Sequence, residues 1–341
     1  MDDAPLRPHV DEQLPAPAED EFRKLVEPHR TELHAHCYRM LGSVHDAEDA
    51  LQETMVRAWR GLARFEGRSS VRAWLYRIAT NVCLTALEQR PKRALPIDLS
   101  PAAAAGEPPG DPVEGVRWLG PYPDRRLGLP SGFAGPEARY ELRESVELAF
   151  VAALQHLPAT QRAALIVRDV LGFSAREAAE LLGTTTAAVN SALQHARDNV
   201  RSRIPERSQQ ATLRDLGDRR VDGLVRSFTE AMRRGDVDAV VGLLAEDAVW
   251  SMPPLPQWYR GHAAIAEFLA GGPFTQRWQH IRATANGQPA VGSYLWDREQ
   301  GRFRAFALDV LTVRGGAIAG VTAFLDAPVF AEFGLPETVE S

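Results

Sequence analysis

Residues 157–203 read LPATQRAALIVRDVLGFSAREAAELLGTTTAAVNSALQHARDNVRSR, and the rest of the chain is read outward from them. Ser174 precedes an apolar stripe and Glu177 follows three residues later. This is a capping box, in which each side chain satisfies a free backbone N–H at a helix start. Ala175, Ala178, Ala179 and Leu182 share one face of that helix, and Gly183 supplies a left-handed stop. Any of the three threonines that follow can cap the next helix. Its stripe is Val189, Leu193, Ala196 and Val200. A short helix, a glycine-containing turn and a longer helix make a helix-turn-helix. The second helix offers Asn190, Ser191, Gln194, His195 and Arg197 outward. Amides, hydroxyls and guanidinium groups read base edges and grip phosphates. A plain helical hairpin with a solvated polar face has the same pattern, so DNA binding needs support from elsewhere in the chain.

At 341 residues two or three domains are expected, and 45% apolar with 25% charged residues is a globular composition. The net charge of −6 excludes a generally basic nucleic-acid coat, so any DNA contact must come from local patches. Cys37 and Cys83 form neither a disulfide framework nor a paired metal spacing. His34, His36 and Cys37 point different ways around a helix, and no metal site or cofactor is expected. With no spanning apolar run and no signal peptide, no membrane contact is expected and the chain reads as cytoplasmic.

Residues 1–20, rich in Pro, Ala and acid, are expected to be disordered. A helix then carries Phe22, Leu25, Val26, His29, Leu33 and Met40, and Gly42 ends it. The next helix buries Ala47, Ala50, Leu51, Thr54, Met55, Ala58 and Leu62. Its outer face holds Asp46, Glu48, Asp49, Gln52, Glu53 and Arg57, acid first and base last, as the helix dipole favours. Helix stabilisation alone accounts for that charge order. A third helix, about 70–89, is striped by Val71, Trp74, Leu75, Ile78 and Val82, with Arg72, Arg77 and Asn81 off the stripe. Residues 64–93 hold seven basic side chains against Glu66 and Glu88. Basic residues interleaved with Phe65, Trp74 and Tyr76 suit unstacked or single-stranded nucleic acid, although Trp74 lies on the apolar stripe and reads as core.

These residues carry a resemblance. Asp46-Ala47-Glu48-Asp49-Ala50-Leu51-Gln52-Glu53-Thr54, followed by Arg57-Ala58-Trp59, resembles the segment with which sigma-70-family factors grip core RNA polymerase. Ser70-Val71-Arg72-Ala73-Trp74-Leu75-Tyr76-Arg77-Ile78-Ala79-Thr80-Asn81 resembles their promoter-melting segment, and the helix-turn-helix resembles their domain 4. With nothing like a domain 3 between, the chain resembles the extracytoplasmic-function (ECF) group. The resemblance implies RNA polymerase core and promoter DNA as partners. Asp46, Glu48, Asp49, Gln52, Glu53 and Arg57 would bind polymerase, Arg72, Arg77 and Asn81 the minus-10 strand, and Asn190, Ser191, Gln194, His195 and Arg197 the minus-35 element. Family members often carry Lys-Ser-Arg after the recognition-helix valine, whereas Val189 is followed here by Asn190-Ser191-Ala192.

The expected fold is multidomain: two all-α sigma domains, a helical bundle (21–90) and the helix-turn-helix domain (137–207), then an α+β tail (221–341). The Pro/Ala/Gly-rich stretch 91–136 reads as a linker containing an ordered island, Trp118-Leu119-Gly120-Pro121-Tyr122-Pro123-Asp124. That island either threads through polymerase, as the resemblance implies, or docks on the protein's own surface. Residues 208–220 read as a second, polar linker. Beyond it come two helices and then strand runs 248–252, 277–285, 288–296, 302–313 and 317–324, the last two joined by Arg314-Gly315-Gly316. Gly235-Asp236-Val237-Asp238, Leu244-Ala245-Glu246-Asp247-Ala248 and Tyr259-Arg260-Gly261-His262 resemble SnoaL-like domains, cone-shaped folds with a pocket inside a curled sheet.

Trp250, Met252, Trp258, Tyr259, Trp278, Tyr294, Phe306 and Asp309 are the candidates to line a tail pocket, with core packing claiming at least half of them. SnoaL-like relatives include isomerases and cyclases that abstract a proton beside a carbonyl. Asp309 is the candidate base, and Tyr259, Tyr294 or His280 would polarise the carbonyl. The reading favoured here is non-enzymatic. The tail packs on the sigma domains as a built-in regulator, and a small molecule shifts the balance. A one-component repressor is disfavoured because it has no use for residues 46–60.

Overall fold

The computed structural model describes residues 16–340 except 66, 68, 89, 91, 128–136 and 326. The expected disorder of residues 1–15 lies outside this range, as do Glu66, Arg68 and linker residues 128–136. Residues 16–20 are not disordered but open helix α1 (Ala16–Val26). Helices α2 (Arg30–Leu41), α3 (Val44–Gly61) and α4 (Val71–Glu88) complete the N-terminal bundle. Every residue of α2 from Leu33 to Leu41 is buried, so α2 is the axis of the bundle. Its polar groups therefore need partners: His36 Nε2 meets Thr80 Oγ1 at 3.0 Å, and His34 Nδ1 meets the Tyr122 hydroxyl at 2.9 Å. Gly42 ends α2 with φ 68°.

The first linker does not float free. Strands β1 (Arg93–Ala94) and β2 (Arg117–Trp118) pair in parallel, and the island lies against the bundle. Gly120 N–H donates to Gly42 O at 2.9 Å, the Tyr38 hydroxyl donates to Gly120 O at 2.9 Å, and the Tyr38 and Tyr122 rings lie 4.4 Å apart. Of the two readings of the island, this is docking on the protein's own surface.

Helices α5 (Glu137–Glu144), α6 (Leu148–Gln155) and α7 (Ala159–Leu165), the last extended by a π-turn at Ile166–Val170, lead into α8 (Ala175–Leu182) and α9 (Thr186–Arg201). The second expected linker contains α10 (Gln209–Leu216). Ser208 caps it, and Leu213 buries against Val221 and Val313. Gln209 also pairs with a strand: its Nε2 donates to Val313 O at 2.9 Å, and Val313 N–H donates to its Oε1 at 2.8 Å. A polar glutamine thus satisfies backbone groups that would otherwise be orphaned, which composition alone does not reveal.

The tail holds α11 (Asp218–Arg234), α12 (Val237–Val241), β3 (Leu244–Ser251), β4 (Trp258–Arg260), α13 (Gly261–Gly271), β5 (Trp278–Ala285), β6 (Gln288–Asp297), β7 (Arg302–Arg314), β8 (Ala317–Phe324) and β9 (Thr338–Val339). The sheet runs β4-β3-β8-β7-β6-β5, with β9 on β7, and β3–β8 is its parallel pair. Side-chain alternation gives it two faces. Val291, Ala307, Leu311 and Val321 join Phe228, Trp250 and Phe268 in the tail's own core. Ala290, Tyr294, Leu308 and Val310 belong instead to the core that runs through the helical domains.

Candidate nucleic-acid interface and the interdomain junction

The helix-turn-helix is built by its caps. Ser174 Oγ accepts from Glu177 N–H at 3.2 Å, and Ser174 N–H donates to Glu177 Oε2 at 2.8 Å. Gly183 ends α8 with φ 63°, and of the three threonines Thr185 caps α9, accepting from Ala188 N–H at 3.2 Å. Asn190, Ser191, Gln194, His195 and Arg197 are all exposed on α9. Arg197 is already engaged: its Nε and Nη2 donate to the Asp169 carboxylate at 2.8 and 2.7 Å.

On α4, Arg77 and Asn81 are exposed and lie one turn apart. Arg72 is placed differently. It donates to Glu32 at 3.1 Å, and its guanidinium lies over the rings of Tyr76 (4.9 Å) and Phe173 (5.1 Å). Phe173 belongs to the turn before α8, so Arg72, half-exposed, packs against the helix-turn-helix domain. Helices α4 and α8 are in direct contact.

The outer face of α3 divides in two. Asp49, Gln52, Glu53 and Arg57 are exposed, with Arg57 donating to Glu53 at 2.7 Å. Asp46 and Glu48 are covered by linker arginines. Arg90, Arg93 and Arg117 converge on the Asp46 carboxylate. Burial pushes its pKa up, but the bond from Arg93 and the fields of Arg93, Arg117 and Arg90 outweigh this and hold it below the usual range. Arg126 donates to Glu48 at 2.6 Å and to Glu332 of the tail at 3.0 Å, so one linker guanidinium ties α3 to the tail.

The tip of the β5–β6 hairpin completes the junction. Asn286 is 0% exposed with φ 56°, a left-handed conformation that asparagine tolerates better than most residues. Its Nδ2 donates to the Tyr38 hydroxyl at 2.8 Å and to Val146 O at 2.7 Å, and its Oδ1 accepts from Tyr122 N–H at 2.8 Å. These partners lie in the N-terminal bundle, the helix-turn-helix domain and the linker, and none lies in the tail. Gly287 (φ 68°) follows where a Cβ would stand 2.9 Å from Gln210 Nε2 and 3.1 Å from the Arg143 side chain. Its N–H donates to Asp124, whose carboxyl burial pushes up to about 6. Glu147, just before α6, accepts from the backbone N–H groups of Gln209 (3.1 Å) and Gln210 (2.7 Å). Burial nevertheless raises its pKa to about 7. Sequence reading missed Asn286, Arg126 and Glu147. Only Asn286 carried a signal, as the first residue of an Asn-Gly pair between two strand runs.

The eight tail candidates do not share one pocket. Trp250 and Met252 are buried in the tail core. Trp258 Nε1 donates to Ser100 O and the Tyr259 hydroxyl to Glu107 O, both at 2.8 Å, so these two anchor the first linker. The Trp278 and Phe306 rings meet edge to face at 5.2 Å, and Phe306 is 39% exposed. Tyr294 lies on the opposite sheet face, its hydroxyl donating to Pro336 O at 3.0 Å. Ala305 also leaves the face expected for it, because a bulge opposite Ser293 and Tyr294 shifts the register. Asp309 does face the tail core, accepting from Ser293 Oγ at 2.6 Å, and burial pushes its carboxyl up to about 7. His280 pairs in register with Ser293, both its ring nitrogens lack partners, and burial lowers its pKa to about 4.

Comparison with known proteins agrees with this architecture. Residues 25–93 match the Sigma-70 region 2 family, 147–200 the Sigma-70 region 4 family, and 225–321 the SnoaL-like domain. The ECF RNA polymerase sigma factor SigG of Mycobacterium tuberculosis (strain H37Rv) is 43% identical over 326 residues, covering 94% of this chain and 85% of that protein. The ECF sigma factor SigJ of the same strain is 27% identical over 309 residues, covering 86% of this chain and 88% of its own. The crystal structure of M. tuberculosis SigJ aligns over 93% of this chain and 100% of that one, with TM-score 0.57 and 23% identity, a likeness of fold.

Proposed function

The chain belongs to the ECF sigma factors of RNA polymerase, with a SnoaL-like domain at its C-terminal end, and from that premise we propose that this structure is a closed form held by its own tail. The promoter-reading assignments are part of the proposal. The exposed face of α3, from Asp49 to Arg57, docks on core polymerase in the cytoplasm. Arg77 and Asn81 capture the melted minus-10 strand. α9 enters the major groove of the minus-35 element, with Asn190, Ser191, Gln194 and His195 on base edges and Arg197 on phosphate.

The observation that carries the closed reading is the direct packing of α8 on α4. Two promoter elements about 25 base pairs apart lie roughly 85 Å apart along the duplex, at about 3.4 Å per pair. Domains whose helices touch place their reading faces only about two helix diameters apart, some 20–25 Å. One duplex cannot satisfy both at once, so the domains must part. Asp46, Glu48 and Arg72 are also spent internally in this arrangement. The tail's contribution is Asn286, Glu332 and α10, acting at the high effective concentration that a tether gives.

No turnover chemistry is assigned to the tail. The Tyr259 and Tyr294 hydroxyls are committed to carbonyls at 2.8 and 3.0 Å, and Tyr294 faces away from Asp309. The tail replaces a separate inhibitory protein, and a small molecule that prefers one arrangement shifts the balance. Run-off transcription with excess core polymerase tests this, comparing the full chain with one ending at Arg207. The shorter chain should give more promoter output. Equal output and equal polymerase affinity would defeat the regulatory reading and raise the enzymatic one.

A further inference from the structure

A cavity of about 910 Å³ lies between the N-terminal bundle and the helix-turn-helix domain, outside the tail, with Arg72 and Arg197 among its lining residues. Its size is that of a small-molecule site, and clefts between domains are where such sites concentrate. One wall is apolar, formed by Leu142, Phe150, Leu165, Val170 and Ile204. Arg39 also lines the cavity and is 1% exposed. Its Nε and Nη2 donate to Ser145 O and Oγ at 3.2 and 3.0 Å, while Nη1 has no partner. Among the described residues no carboxylate pairs with it. A guanidinium removed from water without a counter-charge is costly, and burial lowers its pKa accordingly.

Three of the six carboxylates that line the cavity are engaged by other groups. Glu32 is held by Arg72 and the Tyr76 hydroxyl at 3.1 and 3.2 Å, Asp169 by Arg197, and Glu147 by two backbone N–H groups. Glu141 and Glu206 are exposed, and Glu144, also in the lining, is half-buried. The unmet group inside is therefore Arg39 Nη1, which lies beside an apolar wall.

We infer that this cleft binds an amphipathic monoanion, an apolar body bearing one carboxylate or equivalent anionic head, with the head on Arg39 and the body against Phe150 and Ile204. The inference rests on the closed reading, because Arg39 comes from one domain and the apolar wall from the other. It also gives that reading an effector: a ligand bridging the two domains binds only the closed form and favours it.

The test uses the full chain and three probes that share a ring system and differ in head group: 2-naphthylacetate, 2-naphthylethanol and 2-naphthylethylammonium. Small-angle scattering first establishes whether the chain is compact, and calorimetric titration then measures binding. The acetate should bind at least about tenfold more tightly than the other two. Arg39→Gln should erase that preference. Ala149→Trp, which fills the cavity from a half-buried position and keeps Arg39, should abolish binding, with thermal melts showing both variants folded. Should Arg39→Gln fail to fold, the head-group series on the unaltered chain and Ala149→Trp still decide the matter. Equal binding of the alcohol or the ammonium, an unchanged preference in Arg39→Gln, or unchanged binding in Ala149→Trp overturns the site. A compact chain that binds none of the probes overturns the site and leaves the closed reading standing, whereas an extended chain overturns both.

Discussion

Asn286→Ala should open the molecule without unfolding its parts. The side chain makes three hydrogen bonds of 2.7–2.8 Å, and all of them leave the tail. Truncation strands the Tyr122 N–H and the Val146 carbonyl in a buried site. The Tyr38 hydroxyl keeps Gly120 O as acceptor. Each stranded buried group costs about 1–3 kcal/mol. Alanine at φ 56° adds about 1–2 kcal/mol of backbone strain. The sum is roughly 3–8 kcal/mol charged to docking, and even the lower bound shifts the closed-to-open ratio by about a hundredfold. A compact chain of this length has a radius of gyration of about 20 Å. Small-angle scattering should show the variant clearly above that value, and run-off transcription should rise with it. Asn286→Gly serves as the control, since glycine removes the bonds and relieves the strain. It should open the chain nearly as far. If both variants stay compact with unaltered promoter output, the hairpin tip is not the latch. If only alanine opens the chain, strain rather than the bonds is responsible.

Reversing charge in Asp49→Lys with Glu53→Lys should abolish co-purification with core polymerase while leaving circular dichroism unchanged, because both residues are exposed; retained co-purification would move the docking face elsewhere. Asn190→Ala should cost about 1–3 kcal/mol and relax specificity at one base pair of the minus-35 element, whereas Arg197→Ala should weaken all sequences alike and reduce the salt slope by about one. Glu147, raised to about 7 by burial, binds its proton more tightly in the closed protein than when exposed. Its contribution is therefore fully present below about pH 4.3 and is lost as pH rises to about 7. Glu147→Gln carries no charge to bury, so the stability of the variant relative to the unaltered chain should rise by on the order of 3 kcal/mol between pH 4 and pH 8 in urea melts. A difference that does not change with pH would show that the carboxyl is not buried in solution.

Much of this protein was legible in the sequence because the signals concerned were local. The capping box at Ser174 and Glu177, the stop at Gly183 and the stripes of α3, α4 and α9 depend on residues within a turn or two of one another. The Arg314-Gly315-Gly316 turn and most strand spans follow from period-two alternation. Recognising the domain kinds needed only these patterns and the quoted motifs. What each polar side chain does was decided elsewhere in the chain. On α3, Asp46 and Asp49 look alike in sequence, yet Asp46 is clasped by arginines up to 71 residues away and Asp49 is exposed. Gln209 looks like part of a polar linker until Val313 completes its bonds. Tyr294 and Asp309 seemed to share a pocket, but the register sets Asp309 opposite Val291, and alternation along β6 puts Tyr294 on the other side of the sheet. Asn286 is silent in sequence beyond its turn-forming Asn-Gly pair, because its acceptors lie 140 and 248 residues away and its donor 164. Helical and strand periodicity determine which face of an element is apolar. Only the packing of distant elements determines which polar atoms are left for a partner outside the chain.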